Sequence, residues 1–241
     1  MSPRLAPLPD GFAATVSALH RVAEDLVAPA RKPDNEISLR ATPGGFGTPE
    51  FEFDGAVHQV RVEADELVHR VDGEERRGTL SSLAAGASAI ADLLPPGARL
   101  DSGSLQVDLA ASRALSNWYE FGAGVLSQLV DRSAPEDEAT VPRLWPEHFD
   151  IAIELGPEGR GLRANYGLSP GDEDHAEPYL YVSPWSAEVS GDLWSANGFK
   201  GAELSYADLV GEDDQPVAAL GFFVTRWDAL KETTAPTEEE Q

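Results

Sequence analysis

From Ile37 to Leu80 apolar residues alternate with polar ones, in Ile37, Leu39 and Ala41, in Phe51-Glu-Phe53, in Val60-Arg-Val62 and through Leu67 to Val71, and this alternation constrains the fold more than any other feature. A period of two marks half-buried strands, because successive side chains point to opposite faces of a sheet. Two Asp-Gly pairs, Asp54-Gly55 and Asp72-Gly73, sit beside these runs. Such pairs accept the positive φ that tight hairpin turns require. The expected product is an antiparallel meander.

On either side the period lengthens. Phe12, Val16, Leu19, Ala23, Leu26 and Val27 form one stripe of an amphipathic helix, with Pro9-Asp10 as its cap and Pro29 as its stop. Leu80, Leu83, Ala87, Ile90 and Leu94 predict a second helix stopped by Pro95-Pro96, and Leu115, Trp118, Gly122, Val125, Leu126 and Leu129 a third, long one starting near Asp108. Between the first strands, Thr42-Pro-Gly-Gly-Phe-Gly-Thr-Pro49 matches no phosphate-binding fingerprint and reads as a connecting loop.

Residues 134–142 are polar, carry two prolines and read as a linker. Phe149, Ile151, Ile153 and Leu155 then alternate as a strand, Gly156-Pro-Glu-Gly159 turns it toward Leu162, Ala164 and Tyr166, and Tyr179 to Val182 adds another strand. Asp214 with Pro216 opens a closing helix that carries Leu220, Phe223, Val224, Trp227 and Leu230. The expectation is an α+β fold, an N-terminal β-meander and a C-terminal β-hairpin/meander, both antiparallel, packed with about four helices. Its portions are 1–133 and 143–231, followed by a disordered acidic tail, 232–241.

Charge narrows the partners. The formal net charge is −24, with 19 acidic against 12 basic residues in 1–133 and 23 against 6 in 134–241. Nucleic acid and anionic membrane surfaces each need a basic footprint, so both are excluded as partners. With no cysteine, disulfides, thiolate nucleophiles and Cys-ligated metals are excluded too. There is no apolar run of the roughly 18 residues that span a bilayer, and Met1 to Asp10 has no signal-like apolar stretch. A cytoplasmic location is expected.

One cluster of polar residues carries chemistry. A regular hairpin turning at 156–159 brings Trp145-Pro-Glu-His-Phe-Asp150 to the same rim as Gly167 to Pro178. Imidazoles and carboxylates are the ligands left for a divalent metal ion such as Zn or Mn when cysteine is absent, which makes His148, Asp172, Asp174, His175 and Glu177 the candidate ligands and Glu147 or Asp172 the candidate catalytic base. The spacing fits no standard ligand motif, and Ser169-Pro-Gly-Asp172 reads equally as a turn within a solvated loop. In the same half, Tyr166, Tyr179, Tyr181 and Trp185 are candidates for stacking on a small ligand, with core packing as the alternative. His20, His58 and His69 read as surface or satisfied core groups.

Ile37 to Pro49, Leu144 to Asp150 and Asn165 to Trp185 give the chain a further likeness. Through these segments it resembles, over nearly its whole length, a family of uncharacterised proteins from high-GC bacteria. The resemblance implies a bacterial cytosolic setting and no particular chemistry. The leading expectation is a small-ligand or metal-binding protein using a rim at 145–150 and 168–181. A metal-dependent hydrolase, and a non-catalytic interaction or homo-oligomerisation module, stand as alternatives.

Overall fold

In the computed structural model the described residues are 3–34, 36–95, 97, 99–172, 174–186 and 188–233. They form an α+β fold with two antiparallel sheets, of six and five strands. They fall into two compact units, 3–121 with 143–151, and 122–142 with 152–233. One change of unit falls at 142/143, the end of the expected linker 134–142. The other two fall inside the longest helix and inside a strand, and the segment at Leu144 pairs with Leu39 of the N-terminal portion, N–H to carbonyl at 2.7 and 2.9 Å. No helix among the described residues is long and apolar enough to cross a membrane.

The first unit begins with α1 (Phe12–Val22), which buries Phe12, Val16, Leu19 and Val22. Its N-cap is Gly11 in the left-handed region at φ 76°, not Asp10, and no side chain caps it. Its stripe continues through Leu26 and Val27, as expected, but by a π-helical turn, Ala23–Val27, before Pro29 opens a 3-10 turn. The six-stranded sheet comprises β1 (Arg40–Thr42), β2 (Gly45–Gly47), β3 (Phe51–Phe53), β4 (Ala56–Glu63), β5 (Glu66–Val71) and β6 (Glu74–Thr79), in the order β1-β2-β4-β5-β6 with β3 also on β4. Both Asp-Gly pairs form turns with positive φ at each residue.

The second predicted helix is mostly lost. Only α2 (Leu83–Gly86), capped by Ser82, and a 3-10 turn, Ala87–Ile90, form there. Packing accounts for the shortening: a Cβ on Gly78 of β6 would lie 2.7 Å from the Gly86 carbonyl, so strand and helix meet backbone to backbone. The long helix is α3 (Leu109–Arg132), and Asp108 Oδ1 accepts from the Ala110 and Ala111 amides at 2.9 Å, the cap its sequence position predicts.

The other sheet runs β7 (Arg143–Trp145), β8 (Asp150–Leu155), β9 (Ala164–Ser169), β10 (Tyr179–Pro184) and β11 (Ala202–Ser205), in the order β11-β10-β9-β8-β7. The β8–β9 link is no tight hairpin. It contains a 3-10 turn, Glu158–Arg160, flanked by Gly156 and Gly161 at positive φ. In the second unit, Tyr166, Leu168, Leu180 and Val182 are buried on one face, and Asn165, Gly167, Tyr179, Tyr181 and Glu203 share the other by register. After β11 come α4 (Tyr206–Gly211), capped by Ser205, and α5 (Gln215–Thr233), opened by Asp214, whose Oδ1 accepts from the Val217 amide at 3.2 Å. Phe223, Trp227 and Leu230 of α5 are buried. Of the expected tail, 232 and 233 end α5 and 234–241 lie outside the described residues.

Candidate functional site

In the first unit, the turn from Trp145 to Phe149 is held from three sides. Phe149 donates its amide to the Trp145 carbonyl at 2.7 Å, and the buried Tyr119 hydroxyl donates to the Phe149 carbonyl at 2.7 Å. His20 stacks on the Phe149 ring at 5.0 Å with planes 2° apart, its Nε2 donating to the Pro146 carbonyl at 2.8 Å. Burial, and then the charge of Asp150, push the Tyr119 hydroxyl well above its usual pKa, so it serves here as a hydrogen-bond donor. Phe149 itself sits at φ 54°, a conformation that costs a non-glycine residue on the order of 1–3 kcal/mol.

This held turn forms one wall of a groove of about 460 Å³. The other walls come from the π-turn and the segment after it, which supply Glu24, Ala28 and Pro29, and from Glu36 and Ile37. Among the described residues its lining is therefore four apolar residues, counting Pro146, and three acidic ones, counting Glu147. Ile37 is 51% exposed at its edge. Single π-turns within helices are frequent at functional sites, and strained residues cluster there as well.

In the second unit, His175 lies between two carboxylates. Its Nδ1 is 3.1 Å from Asp172 Oδ1 and its Nε2 3.1 Å from Glu203 Oε2, and its ring stacks on Tyr179 at 4.2 Å. Asp172 is well supplied with donors: the amides of Asp174 and His175 at 2.9 and 2.8 Å, and the Tyr179 hydroxyl at 2.7 Å. Burial pulls the imidazole pKa down, but hydrogen bonds to Asp172 and Glu203 and their charges outweigh it, and His175 is held above the ordinary histidine value. Burial likewise raises Asp172, yet the hydrogen bonds from Tyr179 and His175 leave it below the usual carboxylate range. Along the sheet, the Tyr181 ring covers Gly167, where a Cβ would meet it at 2.5 Å. Trp185, 49% exposed, donates Nε1 to Asn165 Oδ1 at 3.0 Å beneath the Arg163 guanidinium.

The residues singled out in the sequence are thus divided. Glu147 and His148 are exposed on the held turn of the first unit; Asp172, Asp174, His175 and Glu177 belong to the second. Among the described residues no group of three or more His, Asp and Glu is gathered to hold a metal ion. At His175 the reason is visible: its two carboxylates approach opposite nitrogens of one ring, so they cannot converge on a single ion. Tyr166 leaves the ligand-stacking set, being fully buried against Phe223 with its hydroxyl given no hydrogen-bond partner among the described residues. Tyr179 and Tyr181 are half-exposed. Sequence reasoning missed Glu203, which lies on an unforeseen four-residue strand, and Glu24 and Glu36, whose surroundings carry no motif. No family model, curated protein or solved structure matches the chain.

Proposed function

We propose that this chain is a small-molecule-binding protein whose ligand is an organic cation, taken up in the groove of the first unit. The observation that carries the reading is the lining, which combines the apolar Ala28, Pro29, Ile37 and Pro146 with the acidic Glu24, Glu36 and Glu147. Ligand sites combine apolar walls with a few converging polar groups, and about 460 Å³ lies within the usual range of roughly 300–1,000 Å³. A protonated amine, guanidinium or quaternary ammonium with a short hydrocarbon body satisfies both parts of that lining. An anionic ligand would meet the three negative side chains of the described lining. The net charge of −24 works in the same direction by drawing cations toward the surface.

Thermal unfolding with a panel of polyamines, guanidines and quaternary ammonium compounds, set against sugars and organic acids, tests this. One or more cations should raise Tm, and the double variant Glu36→Gln/Glu147→Gln should lose that rise while its ligand-free Tm stays near the parent's. A panel in which only neutral or anionic compounds raise Tm would refute the reading.

A further inference from the structure

His58 of β4 and His69 of β5 are buried to 5% and 0% exposure and lie on diagonally opposite register positions of the hairpin. His58 Nδ1 is 2.9 Å from His69 Nε2. The ring centroids are 5.1 Å apart with planes 26° from parallel, so the rings meet edge to edge, in line, as in an N–H···N bond. Their outer nitrogens each face a backbone carbonyl: His58 Nε2 the Phe53 carbonyl at 3.1 Å, and His69 Nδ1 the Ala89 carbonyl at 3.1 Å.

Counting protons decides what this pair is. A carbonyl only accepts, so each outer contact needs an N–H, and the inner contact needs one more. Three contacts require three ring protons, whereas two neutral imidazoles supply two. A neutral pair must leave one contact as lone pair against lone pair. In the first unit the least buried of the three is the one to Phe53, at the end of β3, the strand that lies off the main path of the sheet. A metal ion does not fit in place of the proton, because a zinc ion between in-line nitrogens would hold them about 4 Å apart.

We propose that His58 and His69 form a single proton-binding site, an imidazolium–imidazole pair whose third proton latches β3 onto β4 through the Phe53 carbonyl and is released to solvent as the pH rises. The charged groups facing the pair among the described residues are Asp92, whose Oδ1 is 3.7 Å from His69 Nδ1, and Arg76, which holds Asp92 at 3.1 Å. Asp92 favours the extra proton and Arg76 opposes it. Burial, the largest influence, holds His69 below the ordinary histidine value against the pull of the Ala89 carbonyl and Asp92. The third proton is therefore a weakly held one, and a fully protonated pair is ruled out by the same burial. The aromatic rings of Phe51 and Phe53 pack beside the pair, at 5.6 and 5.8 Å from the His58 ring.

Ring-nitrogen NMR of the full chain labelled with 15N-histidine reads the count directly across pH 5 to 8, the span in which histidine charge changes. Three ring protons on the pair at the lower pH and two at the higher, lost at one midpoint common to both rings, are expected. Over the same interval hydrogen exchange at the Phe51 to His58 backbone pairing should quicken beyond the intrinsic rate. His69→Gln, which donates and accepts without titrating, should abolish that response. Two ring protons at pH 5, or separate midpoints for the two rings, would overturn the proposal using the parent protein alone, whether or not the variant folds.

Discussion

His69 in the first unit and His175 in the second are both packed on aromatic rings and both hydrogen-bonded at each ring nitrogen, yet their surroundings drive them in opposite directions. His69 has a neutral carbonyl and another imidazole as partners and is fully buried, so desolvation dominates and its pKa is lowered. His175 faces two carboxylates at half-exposure, and their hydrogen bonds and charge overcome its smaller desolvation. Depth of burial set against partner charge decides the sign: Asp92 lies 3.7 Å from His69 Nδ1 and still does not outweigh its desolvation.

Truncating the buried member should give the largest effect. His69→Ala opens a cavity and leaves a buried His58 nitrogen without its partner, so urea unfolding should show a loss of about 2–4 kcal/mol. A loss below about 1 kcal/mol would mean that the pair is not a tight clamp. At His175, Glu203→Gln removes one charge while keeping a polar partner. Its NMR titration should move down toward the ordinary value of 6.5, and stability should fall by about 1 kcal/mol.

The pH dependence separates the two sites by sign. Because His175 is raised in the folded protein, its contribution is whole below 6.5 and is lost as the pH rises through its higher folded value. Because His69 is lowered, its contribution to global stability is whole above 6.5 and is lost as the pH falls toward its folded value, even though the proton taken up then tightens the β3 latch within the folded state. Denaturation midpoints of Glu203→Gln should therefore converge on the parent's at alkaline pH. The smallest effect is expected at Gly167→Ala. The new Cβ meets only the far end of the Tyr181 ring, so that ring swings outward, its fluorescence changes, and stability shifts by less than about 1 kcal/mol.

Strong local signals were legible in the sequence. The Asp-Gly turns, the meander, the Asp108 and Asp214 caps and the split of Tyr179 and Tyr181 from Leu180 and Val182 all follow from alternation and turn chemistry. The helix expected at Leu80 to Leu94 failed because its apolar spacing says nothing about how closely Gly78 and Gly86 must approach. The candidate site was legible in pieces. Glu147 was singled out, but for a rim shared with 168–181, and its groove companions Glu24 and Glu36 lie on a π-turn and a loop, which leave no periodic trace. The register that sets Glu203 across from Tyr181 belongs to a strand too short for alternation to show.

The turn at Ala23–Val27 amounts to one residue more than an α-helix would use. Each residue of an α-helix advances the chain by about 100°. A π-turn takes up its extra residue locally, so deleting Asp25 should close an ordinary α-turn there while Ala28 and Pro29 keep their side of the groove. The turn is slack in the helix: it adds a residue between Val22 and Ala28 without turning Ala28 and Pro29 away from Pro146 and Glu147.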